Sequence, residues 1–153
     1  MLPRTYENQV CSVARALEVL GDRWTLLVLR DAFSRVRRFE DFQRSLGVAR
    51  NVLTDRLSRL VDEGILKRVP YQERPVRFEY RLTEKGRELW PVMMTLMQWG
   101  DHHYGEPEGP PVIVRHRDCG GRVNDRRICE ACGALLEVRD VRPRRVQPAV
   151  AGA

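Results

Sequence analysis

Four residues near the C-terminus have the types and the spacing of metal ligands. The stretch from His116 to Gly133 reads HRDCGGRVNDRRICEACG and contains the pattern ligand-x-x-Cys-Gly twice. A gap of two residues lets both ligands of one turn reach the same ion, and structural zinc takes four Cys and His ligands in a tetrahedron. We therefore predict a small β zinc ribbon that binds one zinc ion per chain through His116, Cys119, Cys129 and Cys132.

The chemistry of this cluster leaves alternatives open. The protein supplies all four ligands, so no coordination position remains for a reacting water, which favours a structural metal. The same thiols could form a disulfide, or the cluster could respond to oxidants or to metal supply. A catalytic pair at Cys129 and Cys132 would make the protein a thiol oxidoreductase. Such a pair begins a helix in a βαβ unit, which the sequence does not predict, and we therefore expect no enzyme.

The fourth cysteine of the chain, Cys11, stands apart from this cluster. It precedes the first predicted helix, and Arg15 follows one turn later. A helix N-terminus and a nearby arginine both favour a reactive thiolate, so Cys11 is a possible redox sensor. The alternative is a small apolar residue that is buried at the start of a helix.

The bulk composition favours an anionic partner. The 153 residues include 27 Lys and Arg against 21 Asp and Glu, a net charge of +6, and nucleic acid is the usual partner of such a chain. The longest apolar run, Trp24–Leu29, is too short to span a membrane, and charged residues interrupt the N-terminal segment, so no signal peptide is predicted. We expect a cytoplasmic protein without a membrane partner.

The elements that must position a DNA contact lie upstream of the cysteines. Residues 38–46 predict a short helix that Gly47 ends, and residues 50–63 predict a second helix with one leucine stripe. This is the pattern of a helix-turn-helix, whose second helix enters the major groove. Its polar face gives the candidate contacts to bases and phosphates, which are Arg50, Asn51, Thr54, Asp55, Arg56, Ser58 and Arg59.

A β-hairpin is predicted directly after this helix, over residues 65–82. Two runs rich in Val, Ile, Tyr and Phe flank the turn Gln72-Glu73-Arg74-Pro75. A hairpin in this position is a wing, and Arg68 and Arg74 are its candidate contacts to the flanking groove or backbone. The fold class is therefore mainly α with a small β wing, a winged helix-turn-helix.

The next predicted helix, residues 84–103, begins after a possible cap at Thr83, is apolar on two faces and contains Pro91, which should kink it. A helix with two apolar faces needs a second neighbour, and a partner subunit is the simplest one. We predict a winged helix-turn-helix and dimerisation domain over 1–104, a linker over 105–111, the ribbon over 112–140 and a disordered tail over 141–153.

These segments together resemble a known family. The stretches CSVARALEVLGDRWTLLVLRDAF, RRFEDFQRSL, NVLTDRLSRLVDEGILKRVPY and VRFEYRLTEKGREL are similar to the bacterial HxlR-type winged-helix transcription regulators, over about residues 9–103. The resemblance implies a homodimer that binds operator DNA and is formed by the N-terminal segment and the long C-terminal helix. It also places Arg50, Asn51, Thr54 and Arg56 at the DNA and Arg74 on the wing.

In some members of that family the N-terminal cysteine senses oxidants or electrophiles, which strengthens the sensor hypothesis for Cys11. A small-molecule or electrophile effector is therefore a possible partner. The ribbon lies outside the shared segment, so the resemblance implies nothing about its role. The remaining alternatives are a thiol oxidoreductase and an interaction module that uses the winged helix without DNA.

Overall fold

The computed structural model of the chain describes residues 5–146. The chain divides into two compact units, Met1–Arg87 and Glu88–Ala153. Within the described residues, no helix has both the length and the apolar character that a membrane crossing requires. The sequence placed a domain boundary after residue 104, whereas the internal contacts group the long C-terminal helix with the residues that follow it.

The first unit is a helical bundle with a two-stranded hairpin. Its elements are α1 (Ser12–Leu20), α2 (Thr25–Phe33), α3 (Phe39–Leu46), α4 (Arg50–Asp62), β1 (Leu66–Glu73), β2 (Val76–Leu82) and α5 (Glu84–Arg87). The apolar stripes of α2, α3 and α4 face one another, and their fully buried side chains are Val28, Leu29, Phe42, Leu53, Leu57 and Leu60. The predicted fold class, a winged helix-turn-helix, is confirmed.

The turn between α3 and α4 depends on a glycine. Gly47 adopts a left-handed backbone (φ 64°) and its N–H donates to Gln43 O, which ends α3. Val48 is buried after it, and α4 begins two residues later at Arg50. This short connection orients α4 so that its leucines pack inward and its polar face remains exposed.

The wing is an antiparallel pair of β1 and β2 that is tied to the helices. Tyr80 N–H donates to Arg37 O at 2.7 Å, and the Tyr80 ring meets Phe42 edge to face at 6.4 Å. Glu79 is buried and accepts from Arg81 Nε at 2.6 Å. These contacts hold the base of the hairpin, so its tip extends from a fixed support.

Two expectations about helix boundaries need correction. The segment predicted as one kinked helix over 84–103 forms α5 and a separate α6 (Trp90–Tyr104). Pro91 does not kink a helix interior but occupies the first turn of α6, where its missing N–H costs no hydrogen bond. Thr83 does cap α5 as predicted, because its Oγ1 accepts from Gly86 N–H at 3.1 Å.

The second unit combines α6 with a small β module. Strands β3 (Val112–His116) and β4 (Val141–Arg145) pair antiparallel, and a 3₁₀ turn (Val138–Asp140) precedes β4. The prediction of a disordered tail from residue 141 is wrong for residues 141–145, because pairing with β3 fixes them; residues 147–153 lie outside the described part. The helix touches the module through Gln98 Nε2, which donates to Val123 O at 3.1 Å.

Candidate nucleic-acid interface and metal centre

The exposed face of α4 presents a continuous row of polar side chains. Leu53, Leu57 and Leu60 are buried on the inner face, and the outer side chains one or two positions away line a shallow depression. The residues that line it are Arg50, Asn51, Thr54, Asp55 and Ser58. The predicted candidates for base contacts therefore lie together on one accessible surface.

Two of these side chains are held in place by neighbours. The Arg50 guanidinium lies over the Phe39 ring at 4.6 Å, a cation–π contact that joins the start of α4 to α3. Thr54 Oγ1 donates to Arg50 O at 2.8 Å, and the hydroxyl keeps its two lone pairs as acceptors. Asn51 and Ser58 are exposed. This face offers amide, hydroxyl and methyl groups, which are the groups that read base edges.

Arg56 and Arg59 are placed differently from the sequence expectation of contacts to DNA. Arg59 Nη1 donates to Asp22 Oδ2 at 2.9 Å, and its Nη2 donates to Glu18 O. Arg56 Nε donates to Arg23 O at 2.9 Å, and its Nη1 pairs with Asp55 and lies 3.5 Å from Asp22. Both guanidinium groups therefore join α4 to the end of α1 and the turn that follows it.

Asp22 stands shortly before the apolar helix α2, where an aspartate is typical of a cap, but the structure gives it another role. The residue at the cap position is Trp24, which has a left-handed backbone (φ 79°) and makes no side-chain cap bond. Asp22 is the carboxylate that Arg56 and Arg59 of α4 approach. An aspartate before an apolar helix gives a strong capping signal, so a tertiary ion pair with residues far along the chain could not be predicted from it.

The wing carries its two candidate arginines in unlike environments. The Arg68 guanidinium lies over the Phe78 ring at 4.1 Å on the flank of the hairpin. Arg74 is exposed in the turn, where its carbonyl accepts from Gln72 Nε2 at 3.2 Å and its peptide bond to Pro75 is cis. Arg74 is therefore the arginine that the hairpin tip presents to solvent.

Cys11 is the N-cap residue of α1. Its Sγ accepts from Ala14 N–H at 3.3 Å, and the residue is exposed. Arg15, predicted as a neighbouring charge, lies 3.5 Å from Glu18 Oε1 instead. The alternative of a buried residue at this position is wrong, and the thiol is accessible to reagents in solution.

The four predicted metal ligands come together in the second unit. The donor atoms of His116, Cys119, Cys129 and Cys132 all lie within 4.8 Å of one another. His116 Nδ1 is 3.2 Å from Cys119 Sγ and 3.4 Å from Cys132 Sγ, and the Cys119 and Cys129 sulfurs are 3.3 Å apart. Sulfurs bound to one tetrahedral zinc ion are about 3.8 Å apart, so a small expansion of the cluster accommodates the ion.

Glycines shape both turns that carry the ligands. Gly120 and Gly133 have left-handed backbones (φ 72° and 74°), and each donates its N–H to the carbonyl of the ligand four residues earlier. Gly121 has another function, because an added Cβ would lie 2.5 Å from Cys129 Sγ and 2.6 Å from Ala131 Cβ. Gly121 was not predicted from the sequence as a residue of the site. The pair of glycines directly after Cys119 was the signal that could have indicated it.

The surroundings of Cys129 favour the thiolate that binds metal, whereas those of Cys119 favour the thiol. The backbone N–H of Cys132 and, more weakly, that of Ala131 lower the pKa of the Cys129 thiol to about 6, although burial acts against them. The pKa of Cys119 is raised. The hydrogen bond from Gly121 N–H lowers this pKa, but the Cys129 and Cys132 thiols and burial together raise it by more. Asp118 Oδ2 lies 3.7 Å from His116 Nε2 and can orient that ring. This donor set fits zinc.

A match to a family model identifies the protein family of this chain. The model for the HxlR-like helix-turn-helix matches residues 19–108, more than half of the chain. The chain belongs to the HxlR family. It is a winged-helix transcription regulator, as the sequence analysis predicted, and the match ends before the first ligand of the cysteine cluster.

Two similar proteins match more of the chain than this domain. The HTH-type transcriptional regulator Rv3095 of Mycobacterium tuberculosis is 52% identical over 132 residues, which are 86% of this chain and 84% of that protein. The crystal structure of PA1607, a proposed transcription factor, is 39% identical with a TM-score of 0.71 and covers 93% of this chain and 97% of its own. Both matches extend beyond residue 108.

A third similarity concerns the winged-helix part. The redox regulator HypR in its reduced form is 31% identical with a TM-score of 0.56, and the match covers 60% of this chain and 92% of that one. The winged-helix fold of the chain is thus shared with a redox regulator.

Proposed function

We propose that this HxlR-type regulator binds operator DNA as a homodimer, with α4 in the major groove and the wing on the flanking backbone. The observation that carries this proposal is the outer face of α4, where Asn51, Thr54 and Ser58 are exposed above a buried leucine stripe. In a dimer, two such helices would enter successive major grooves that are about 34 Å apart.

Phosphate contacts are assigned to arginines that the fold leaves accessible. Arg74 in the hairpin turn and Arg50 at the start of α4 are exposed, and Arg68 is exposed on the flank of the wing. Arg56 and Arg59 already make hydrogen bonds within the protein. We assign these two to positioning α4, and their contacts to DNA are at most secondary.

Exposed apolar side chains support the homodimer. In α1, Val13 and Leu17 are exposed by 68% and 43%, although their spacing is that of a buried stripe. In α6, Val92, Leu96 and Trp99 are 45–55% exposed. Large apolar groups at helical spacing on two elements indicate surfaces that another subunit covers.

The Cys3His cluster is assigned to one structural zinc ion. The converging donor atoms and the glycine that leaves space beside Cys129 support this assignment. A thiol oxidoreductase would need an accessible Cys129, but this residue is buried with 1% exposure. A disulfide-reduction assay tests that alternative directly, and turnover that disappears in Cys129→Ser would favour it.

Footprinting on the DNA upstream of the gene tests the proposed function. The wild-type protein should protect two half-sites about one helical turn apart, and Asn51→Ala should blur the sequence preference at the protected positions. Glu108→Ala, at an exposed position of the predicted linker, is a control that leaves α4 unchanged. A protein that protects no DNA at any salt concentration would refute the proposal.

A second candidate, redox control through Cys11, is favoured by the exposed thiol at the N-cap of α1 and by the likeness to HypR. Mild oxidation should then weaken operator binding in the wild type and in Cys119→Ser, but not in Cys11→Ser. Equal sensitivity of Cys11→Ser and the wild type would place the response elsewhere.

A further inference from the structure

The positive charge of the chain is concentrated in the ribbon. Residues 112–146 contain nine arginines, no lysine and five acidic residues, a net charge of +4. The whole chain of 153 residues has a net charge of +6, so the other 118 residues contribute only +2. The ribbon that follows the helix-turn-helix domain is therefore the most basic part of the chain.

The strand register places arginines side by side on one face. Arg142 pairs with Arg115 across β4 and β3, and Arg115 pairs with Arg122 on its other side. Arg115 and Arg122 make no backbone hydrogen bonds to each other. The flanking residues do, because His116 N–H donates to Gly121 O and Val123 N–H donates to Val114 O. In a pair of this type the two side chains lie closest. Directly paired residues point to the same side of a sheet.

Arg144 extends this row along β4, because residues two positions apart in a strand share a face. The opposite face is the interior of the ribbon, where Val114, His116 and Val141 are buried. We call the other side, where Arg122, Arg142 and Arg144 are exposed and Arg115 is half-buried, the arginine face. It consists of Arg115, Arg122, Arg142 and Arg144.

One acidic group lies at one end of this face. Asp101 of α6 is near Arg122, which lowers the pKa of the Asp101 carboxyl, although burial raises it by more. Between residues 5 and 146, no ion pair involves Arg115, Arg142 or Arg144, although Arg115 Nη1 donates to Gly120 O at 2.9 Å. Like charges opposite one another destabilise a sheet, so this arrangement is costly unless an anion is bound.

We propose that the arginine face binds the phosphate backbone of the same DNA molecule that the winged helix reads. This inference rests on the proposed function and adds a second contact surface to it. Arginine forks match phosphate oxygens, and an extended row of them follows a backbone without reading its sequence. The ribbon would thereby add affinity and salt dependence but no base specificity.

The test measures how the affinity for DNA depends on salt. Anisotropy of a labelled random-sequence duplex gives Kd over a series of KCl concentrations, and each lost phosphate contact lowers the slope of log K against log salt by about 0.9. The variant Arg142→Gln/Arg144→Gln should lose about 1.8 per bound chain. A matched control, Arg126→Gln/Arg139→Gln, removes the same charge from exposed positions of the same ribbon and should keep the wild-type slope.

The outcomes separate this inference from the proposed function. If the wild type does not bind the duplex, the proposed function fails and this inference fails with it. If the wild type binds and the wing variant Arg74→Gln lowers the slope, but the arginine-face variant matches its control, this inference alone is overturned. Zinc content and circular dichroism confirm folding, and Arg144→Gln alone, with an expected loss of about 0.9, replaces the double variant if that one unfolds.

Discussion

The ion pair between α4 and the end of α1 allows a direct separation of stability from DNA contact. Arg59 donates to Asp22 Oδ2 at 2.9 Å and also to Glu18 O, and its side chain is 21% exposed. Replacing it by Ala removes two charge-assisted hydrogen bonds. Each is worth about 1.5–3 kcal/mol when buried and under 1 kcal/mol at a surface, so partial exposure gives an expected loss of about 2 kcal/mol.

Chemical denaturation of the full chain measures this loss. The free energy of unfolding of Arg59→Ala should fall by about 2 kcal/mol, which corresponds to a Tm lower by about 4–8 °C in a protein of this size. Arg44→Ala is the matched control, because Arg44 is 79% exposed and pairs only along its own helix with Asp41 at 3.1 Å. Its effect should stay within about 0.5 kcal/mol.

Salt titration of DNA binding provides the complementary measurement. Because the fold holds the Arg59 guanidinium inside the protein, the slope of log K against log salt should be the same for Arg59→Ala and the wild type. A residue that contacts a phosphate would lower this slope by about 0.9. An unchanged free energy of unfolding together with that lower slope would refute the structural role, and Arg59 would belong to the DNA contacts that the sequence predicted.

Three further outcomes are expected. Gly121→Ala should weaken zinc binding, measured by competition with a chelator, by about 1–3 kcal/mol because its Cβ overlaps Cys129 Sγ, whereas Gly100→Ala, with open space around it, should not. Chelation of zinc should raise amide hydrogen exchange in residues 112–146 and leave that of α2 and α4 unchanged; equal exchange before and after would contradict a structural metal. Asn51→Ala should reduce the difference in binding free energy between the operator and a random duplex by about 1–3 kcal/mol. Arg74→Gln should weaken binding to both DNA molecules alike.

Local patterns in the sequence were sufficient to predict most of the fold. The leucine stripe of α4, the glycine after α3 and the alternating hairpin each depend on residues within a few positions of one another, and all three elements formed as expected. The four metal ligands were also predicted, because their spacing within each turn is part of the sequence pattern.

The errors concern interactions between distant residues. No local pattern indicates that Asp22 accepts from Arg59, which is 37 positions away, so Arg59 was predicted to contact DNA. Strand β4 was missed for the same reason. Its residues VRPRR lack alternation and contain a proline, and only pairing with β3, about 30 residues earlier in the chain, makes the segment a strand.

The small interior of the ribbon explains why a metal is expected there. Six side chains are buried within residues 112–146, and two of them, His116 and Cys129, belong to the ligand set. The other four, Val114, Val123, Leu136 and Val141, are too few to stabilise a segment of this length, since chains below about 40 residues need a metal or disulfides. The row of like charges on the arginine face lowers the stability further. Bonds to zinc would therefore supply the stability that allows this segment to present a row of neighbouring arginines.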